Sequence, residues 1–83
     1  MELNDEVRAK VAEAGELLIR AAAVLGTLSR YEQQALVAVT EGKLVDSLAW
    51  AIEGAAMVSP EVVESLRTHP PAGFIGEICA KGA

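Results

Sequence analysis

The sequence predicts an all-α fold, a small bundle of four helices, and three observations lead to it. Apolar residues recur every three or four positions from Val7 to Leu28, which is the period of one helix face. Helix-start and helix-stop signals divide the rest of the chain into shorter segments. No stretch alternates apolar and polar residues as a strand does. The 83 residues suffice for a single domain, either a compact bundle or an intertwined dimer.

The first helix is predicted over about residues 5–27. Asn4 is a suitable N-cap, and Asp5 and Glu6 follow it in the first turn, where the helix dipole favours anions. Gly15 either weakens this helix or lets another backbone approach closely. The apolar stripe along it consists of Val7, Val11, Ala14, Leu18, Ala21, Leu25 and Leu28.

The second half of this helix, residues 17–28, is apolar on nearly every side. A helix of that kind is normally enclosed by other helices. We therefore expect residues 17–28 to form the enclosed centre of the fold and the place where a second subunit packs.

The second helix is predicted over about residues 30–41. Ser29 and Glu32 have the spacing of a capping box, which indicates a new helix start and a bend near Leu28. The alternative is a continuous helix that runs through Ser29. Gly42 is a plausible left-handed stop.

The third and fourth helices are predicted over about residues 44–58 and 60–68. Ser59 is expected to cap the fourth helix and Pro60 to take its first position. The prolines after His69 end it. Residues 72–83 form a glycine-rich tail with a possible short fifth helix. The inward face of the third helix is predicted to contain Val45, Leu48, Ile52, Ala55 and Ala56.

The composition favours association. Hydrophobic residues make up 52% of the chain, more than so small a domain can hide, while aromatic residues make up only 4%. We expect a homo-oligomer, with a dimer favoured. Trp50 shares an amphipathic face of the third helix with Asp46, Glu53 and Met57, on a different side from the inward residues. It is either an interface anchor or a residue packed at the rim of the core, and we favour the core. The candidate interface residues are Leu18, Ala21, Leu25, Leu28, Tyr31, Trp50 and Met57.

The net charge of −5 disfavours binding to nucleic acids and to anionic membranes, because an acidic surface repels phosphates. It is compatible with a basic protein partner. The apolar run from 17 to 28 is shorter than the roughly 20 residues needed to cross a bilayer, and the acidic N-terminus does not resemble a secretory signal. These features predict a cytoplasmic protein without a membrane segment.

The chain lacks a recognisable catalytic cluster. His69 is its single histidine and lies at a helix stop, and Cys79 is its single cysteine, with no basic residue nearby in sequence beyond Lys81. Neither a phosphate-binding glycine loop nor a metal-ligand spacing is present. We therefore expect no catalytic residues, cofactor or metal. The predicted function is that of a protein–protein interaction module, such as a regulator, inhibitor or assembly factor, whose partner the sequence does not identify.

Two family resemblances suggest alternatives. Residues 28–36, which read Leu-Ser-Arg-Tyr-Glu-Gln-Gln-Ala-Leu, resemble the opening of LuxR-type helix-turn-helix domains, and residues 58–63 resemble the start of their recognition helix. This resemblance implies DNA binding. It departs from the family in a turn that is about four residues too long and in a recognition helix with Arg67 against Glu61 and Glu64.

Residues 43–51, Lys-Leu-Val-Asp-Ser-Leu-Ala-Trp-Ala, are somewhat similar to the second helix of phage hairpin proteins that sequester cyclic dinucleotides. That resemblance implies small-ligand binding. The aromatic-histidine-proline opening of the phage family is missing from this chain.

Overall fold

The computed structural model describes residues 2–69, and within that range the fold is all-helical. The four helices are α1 (Asp5–Gly26), α2 (Arg30–Thr40), α3 (Lys43–Val58) and α4 (Pro60–Thr68). Each predicted boundary agrees with the structure to within one residue. The possible fifth helix in residues 72–83 lies outside the described residues.

α1 begins as its sequence predicts. The Asn4 side chain accepts a hydrogen bond from the backbone N–H of Val7 at 2.9 Å, and Asp5 and Glu6 occupy the first turn. At the other end, the Thr27 N–H donates to the carbonyl of Val24 at 3.1 Å and closes the last turn. The cap at each end therefore satisfies backbone groups that would otherwise lack partners.

The bend between α1 and α2 is confirmed. Ser29 has extended backbone angles, its side chain accepts from the N–H of Glu32 at 3.1 Å, and the Glu32 carboxylate accepts from the N–H of Ser29 at 2.9 Å. The buried Gln33 amide fixes the bend by donating to the carbonyl of Leu28 at 2.9 Å. The continuous-helix alternative is wrong because these reciprocal hydrogen bonds hold Ser29 outside the helix.

The α2–α3 turn uses two residues in the left-handed region. Glu41 has φ 56° and Gly42 has φ 75°. The Gly42 N–H donates to the carbonyl of Val37 at 2.8 Å. Gly42 is left-handed as predicted, but the left-handed C-cap of α2 is Glu41, and Gly42 serves as the N-cap of α3.

The α3–α4 junction corrects one prediction. Ser59 alone joins the two helices and Pro60 takes the first position of α4, but the Ser59 side chain makes no capping hydrogen bond. Its hydroxyl donates instead to the Glu61 carboxylate at 2.7 Å. The hydroxyl thus uses its donor for the Glu61 carboxylate, while its oxygen accepts no hydrogen bond from a backbone N–H of α4.

α1 and α3 pack antiparallel. α4 covers the groove between them beside the N-terminal half of α1. Gly15 of α1 lies against Ala55 of α3 and Val62 of α4, and the Arg8 guanidinium donates to the carbonyl of Val58 at 3.2 Å. α2 packs against α3. The core among the described residues consists of Ile19, Ala22, Val45, Leu48, Ile52, Ala55 and Val62.

The helices form an elongated fold. The principal extents are 42 × 24 × 18 Å and the radius of gyration is 13.1 Å. A compact domain of this size has a radius of gyration of about 11–12 Å. Since a helix with side chains is about 10 Å across, the shortest extent holds only two helices, and much of each helix surface stays uncovered.

The buried side of α1 differs from the predicted stripe. The residues that it buries are Gly15, Ile19 and Ala22, whereas Val7, Ala14 and Ala21 of the stripe are exposed. The helix is thus rotated by about one residue, or roughly 100°, from the orientation that the apolar pattern predicts. Close packing at Gly15 favours this rotation, because a Cβ at that position would clash with Val62 of α4 and press against Ala55 of α3.

Candidate interaction surface

α1 carries a second apolar stripe that points away from the core, which we call the outer seam. Leu17 is 57% exposed and Val24 is 66% exposed, although both lie in the segment predicted to be enclosed. That prediction is wrong for a single chain, since residues 17–28 are covered on one side only. The outer seam consists of Val7, Lys10, Ala14, Leu17, Ala21 and Val24, spaced alternately by three and four. All six residues are exposed, and Lys10 is the one charged member.

The two edges of the outer seam differ in character. One edge carries Glu6, Glu13 and Arg20, which are exposed and separated by seven residues each. Residues seven apart on a helix lie almost directly above one another. Among the described residues, neither Glu13 nor Arg20 takes part in an ion pair. The opposite edge consists of Val11, Leu18 and Leu25, which are half-buried against the core.

α3 exposes its largest side chain. Trp50 is 76% exposed and Met57 is 83% exposed, and nothing lies within 4 Å of the position that a Cβ would take on Gly54 between them. The prediction that Trp50 packs against the core is therefore wrong. Its neighbours Leu48 and Ile52 fill the core side of α3, so a residue two positions from each must point outward.

α2 also has an uncovered apolar side. It packs on α3 with Gln33 buried and Leu36 and Val37 half-buried. Tyr31 and Val39 are more than three-quarters exposed. Exposed apolar residues are thus found on each of the three longer helices and are not confined to one patch.

The structure divides the predicted interface residues into two sets. Leu18 and Leu25 are half-buried and pack on the core of their own chain, and Leu28 is half-buried at the bend. The exposed members are Ala21, Tyr31, Trp50 and Met57. The prediction omitted Leu17 and Val24, the most exposed large residues of α1. The sequence signal that could have identified them is the spacing: Leu17 and Val24 lie seven residues apart and alternate with Ala14 and Ala21 along one face of α1.

A cleft of about 600 Å³ lies between the N-terminal half of α1 and the α3–α4 junction. The Arg8 guanidinium spans it and donates to the carbonyls of Val58 and Leu3 at 3.2 and 3.3 Å. The Glu16 carboxylate accepts a hydrogen bond from the Ser65 hydroxyl of α4. These polar groups connect α1 to α3 and α4, so a structural role explains why they lie in the cleft.

The described part of the chain brings no cluster of candidate chemical groups together. His69 lies exposed at the end of α4, with its Nδ1 atom 2.9 Å from the Thr68 hydroxyl, and Cys79 lies outside the described residues. Within residues 2–69, no three His, Cys, Asp or Glu side chains cluster closely enough to hold a metal ion. No helix in the same range has the length and apolarity required to cross a bilayer.

Two carboxylates have a lowered pKa, and both belong to helix starts. The backbone N–H of Ser29, followed by its hydroxyl, lowers the pKa of Glu32. The Ser59 hydroxyl lowers the pKa of Glu61. These shifts reflect hydrogen bonds that favour the charged carboxylate at exposed positions.

The helices that resemble a helix-turn-helix are not joined by the turn of about three to four residues that this motif has. α3 continues without a break to Val58, and a single residue leads into α4. α4 exposes Glu61 and Glu64, and Arg67, its one cation, forms an ion pair with Glu64 at 2.6 Å. A helix with this charge repels phosphate groups.

The chain matches no known protein-family model, and comparisons with curated proteins and with solved structures give no significant match.

Proposed function

We propose that this chain is a non-enzymatic protein–protein interaction module that acts as a homo-oligomer, in the manner of a small regulator, inhibitor or assembly factor. The single observation that carries the proposal is the imbalance between buried and exposed apolar residues. Among the described residues, ten large hydrophobic side chains are exposed, while the buried core has seven hydrophobic residues, of which two are alanine.

The free energy of burial explains why this imbalance favours association. Burying a leucine- or valine-sized side chain stabilises a structure by about 1.5–3 kcal/mol. In the single chain, Leu17, Val24, Trp50 and Met57 are exposed and do not contribute this free energy. Exposed apolar residues that are scattered singly are common, but here they recur along helix faces. Extended apolar surfaces of this kind are typical of interfaces.

Sedimentation provides the direct test of the oligomer. We expect a mass well above the 8.7 kDa of one chain at micromolar concentration. The variant Leu17→Glu/Val24→Glu should shift the mass to that of a monomer and keep its helical circular dichroism, because both side chains lie outside the core. A wild-type monomer at these concentrations would refute the proposal.

A matched control comes from the other side of the same helix. Ala23 is exposed and lies about 160° around α1 from the outer seam. Ala23→Glu adds one negative charge to α1 without touching the apolar stripe, so it should leave the sedimenting mass unchanged. Loss of the oligomer in this control would mean that negative charge alone disrupts association.

A further inference from the structure

We propose that the partner of the outer seam is a second copy of this chain, whose α1 packs against it in the antiparallel direction about a two-fold axis. This inference rests on the proposed function and adds the identity of the interface, its direction and its register. The charged edge of the seam, Glu6, Glu13 and Arg20, is the observation that selects among the possible arrangements.

Direction decides which edges meet. When two identical helices pack antiparallel about a two-fold axis, each edge of the seam faces the same edge of the other copy. When they pack parallel, each edge faces the opposite one. The charged edge has acidic residues in its N-terminal half and Arg20 in its C-terminal half. In the antiparallel arrangement, the acidic half of this edge faces the half that carries Arg20 in the other copy, so the charges are complementary. In the parallel arrangement, Glu13 would face Leu18 of the other copy.

The register follows from the same charges. Placing Glu13 opposite Arg20 of the second copy gives two equivalent ion pairs, and neither residue has an ionic partner among the described residues of its own chain. In this register the large Leu17 packs on the small Ala14 of the second copy. Val7 meets Val24 by the same alignment.

The other contacts of this register are also compatible. Ala21 lies beside the aliphatic part of Lys10 from the second copy, whose ammonium group can reach solvent. On the other edge, Val11 meets Leu18, and both are apolar and half-buried in the single chain. One edge of the interface is therefore ionic and solvent-facing, while the other is apolar and continuous with the core.

Shifting the helices by one heptad removes this complementarity. A shift in one direction brings Arg20 opposite Arg20 of the second copy, and a shift in the other brings Glu13 opposite Glu13. Each arrangement places like charges together at the centre of the interface, which is unfavourable. The antiparallel register with Glu13 beside Arg20 is thus preferred over its nearest alternatives.

Charge reversal tests the pairing. Glu13→Arg creates two like-charge contacts and should raise the dissociation constant of the dimer about tenfold, and Arg20→Glu should do the same. The double variant Glu13→Arg/Arg20→Glu restores both ion pairs and should return to within about twofold of the wild type. If the single variants associate as tightly as the wild type, the pairing is wrong.

A distance measurement tests the direction independently. A nitroxide spin label at position 6, in the variant Glu6→Cys/Cys79→Ser, is attached near one end of α1. In the antiparallel register the two labels are separated by about 21 residues along the helix axis, or roughly 30 Å. In a parallel dimer they would lie within about 20 Å of each other.

The outcomes separate the two proposals. A dimer by sedimentation with labels about 30 Å apart and rescue in the double reversal supports both proposals. A dimer with a short label distance overturns the antiparallel inference and leaves the proposed function standing. A monomeric wild type overturns both.

Discussion

A methyl group added at Gly15 should destabilise the fold, although alanine is the better helix former. A Cβ at this position would lie 3.3 Å from the Ala55 Cβ and closer still to a γ-methyl of Val62, inside van der Waals contact. Val62 is completely buried in α4, and its β-branched side chain has one strongly preferred rotamer in a helix, so it cannot turn away. α4 must therefore move as a unit.

The expected size comes from two opposing effects. Replacing glycine by alanine in a helix interior is worth about 1 kcal/mol of stability, whereas overpacking a core costs about 1–3 kcal/mol. Because the clash is with buried side chains on two helices, we expect the overpacking cost to exceed the gain in helix propensity. The free energy of unfolding should fall by about 1–2 kcal/mol. For a domain of this size, each 1 kcal/mol lowers the melting temperature by about 4–8 °C.

Gly54 supplies a matched control. It lies in the interior of α3, and nothing is found within 4 Å of the position that its Cβ would take. Gly54→Ala should therefore raise the free energy of unfolding by about 0.5–1 kcal/mol. Urea denaturation of both variants at one protein concentration measures the difference. If Gly15→Ala is stabilised as much as Gly54→Ala, the close approach of α4 to α1 is refuted.

Three further predictions concern buried and capping groups. Ser29→Ala should lower the free energy of unfolding in urea by about 1 kcal/mol, and carbon NMR should show the pKa of Glu32 returning upward once its hydroxyl partner is removed. Glu32 and Glu61 both have a lowered pKa in the folded chain. Their contribution to the stability of the fold is therefore complete at pH values above the unfolded-state pKa near 4.5, and it disappears as the pH falls through the lower pKa of the folded state. Ser59→Ala should move this acid-induced loss for Glu61 to higher pH in an acid titration followed by circular dichroism. Gln33→Glu should destabilise the bend by about 2 kcal/mol or more in urea, because a buried carboxylate would face the carbonyl that the amide now donates to; an unchanged midpoint would contradict that role for Gln33.

The helix boundaries were predictable because their signals are local. The Asn4 cap and the Ser29–Glu32 capping box are hydrogen bonds between residues three apart, and they form without reference to the rest of the chain. Gly42 lies in the left-handed region for the same kind of reason. Ser59 is the exception, since its hydroxyl donates to Glu61 and accepts no capping hydrogen bond.

The side of each helix that becomes buried was less predictable. α1 is apolar on three overlapping faces, centred on Leu17, Leu18 and Ile19, and its own pattern does not rank them. Leu17 and Val24 were therefore assigned to the interior and left out of the candidate interface. Trp50 was included in that interface, although its packing at the rim of the core was favoured. The three exposed residues became identifiable only from the packing of α3 and α4.

The sequence by itself therefore determined where the helices begin and end, because capping and turn formation depend on neighbours along the chain. The tertiary structure decided which faces meet, because that choice depends on residues distant in sequence. Gly15, Ala55 and Val62 come from three helices, and their fit rotates α1 so that its outer seam faces away from the core.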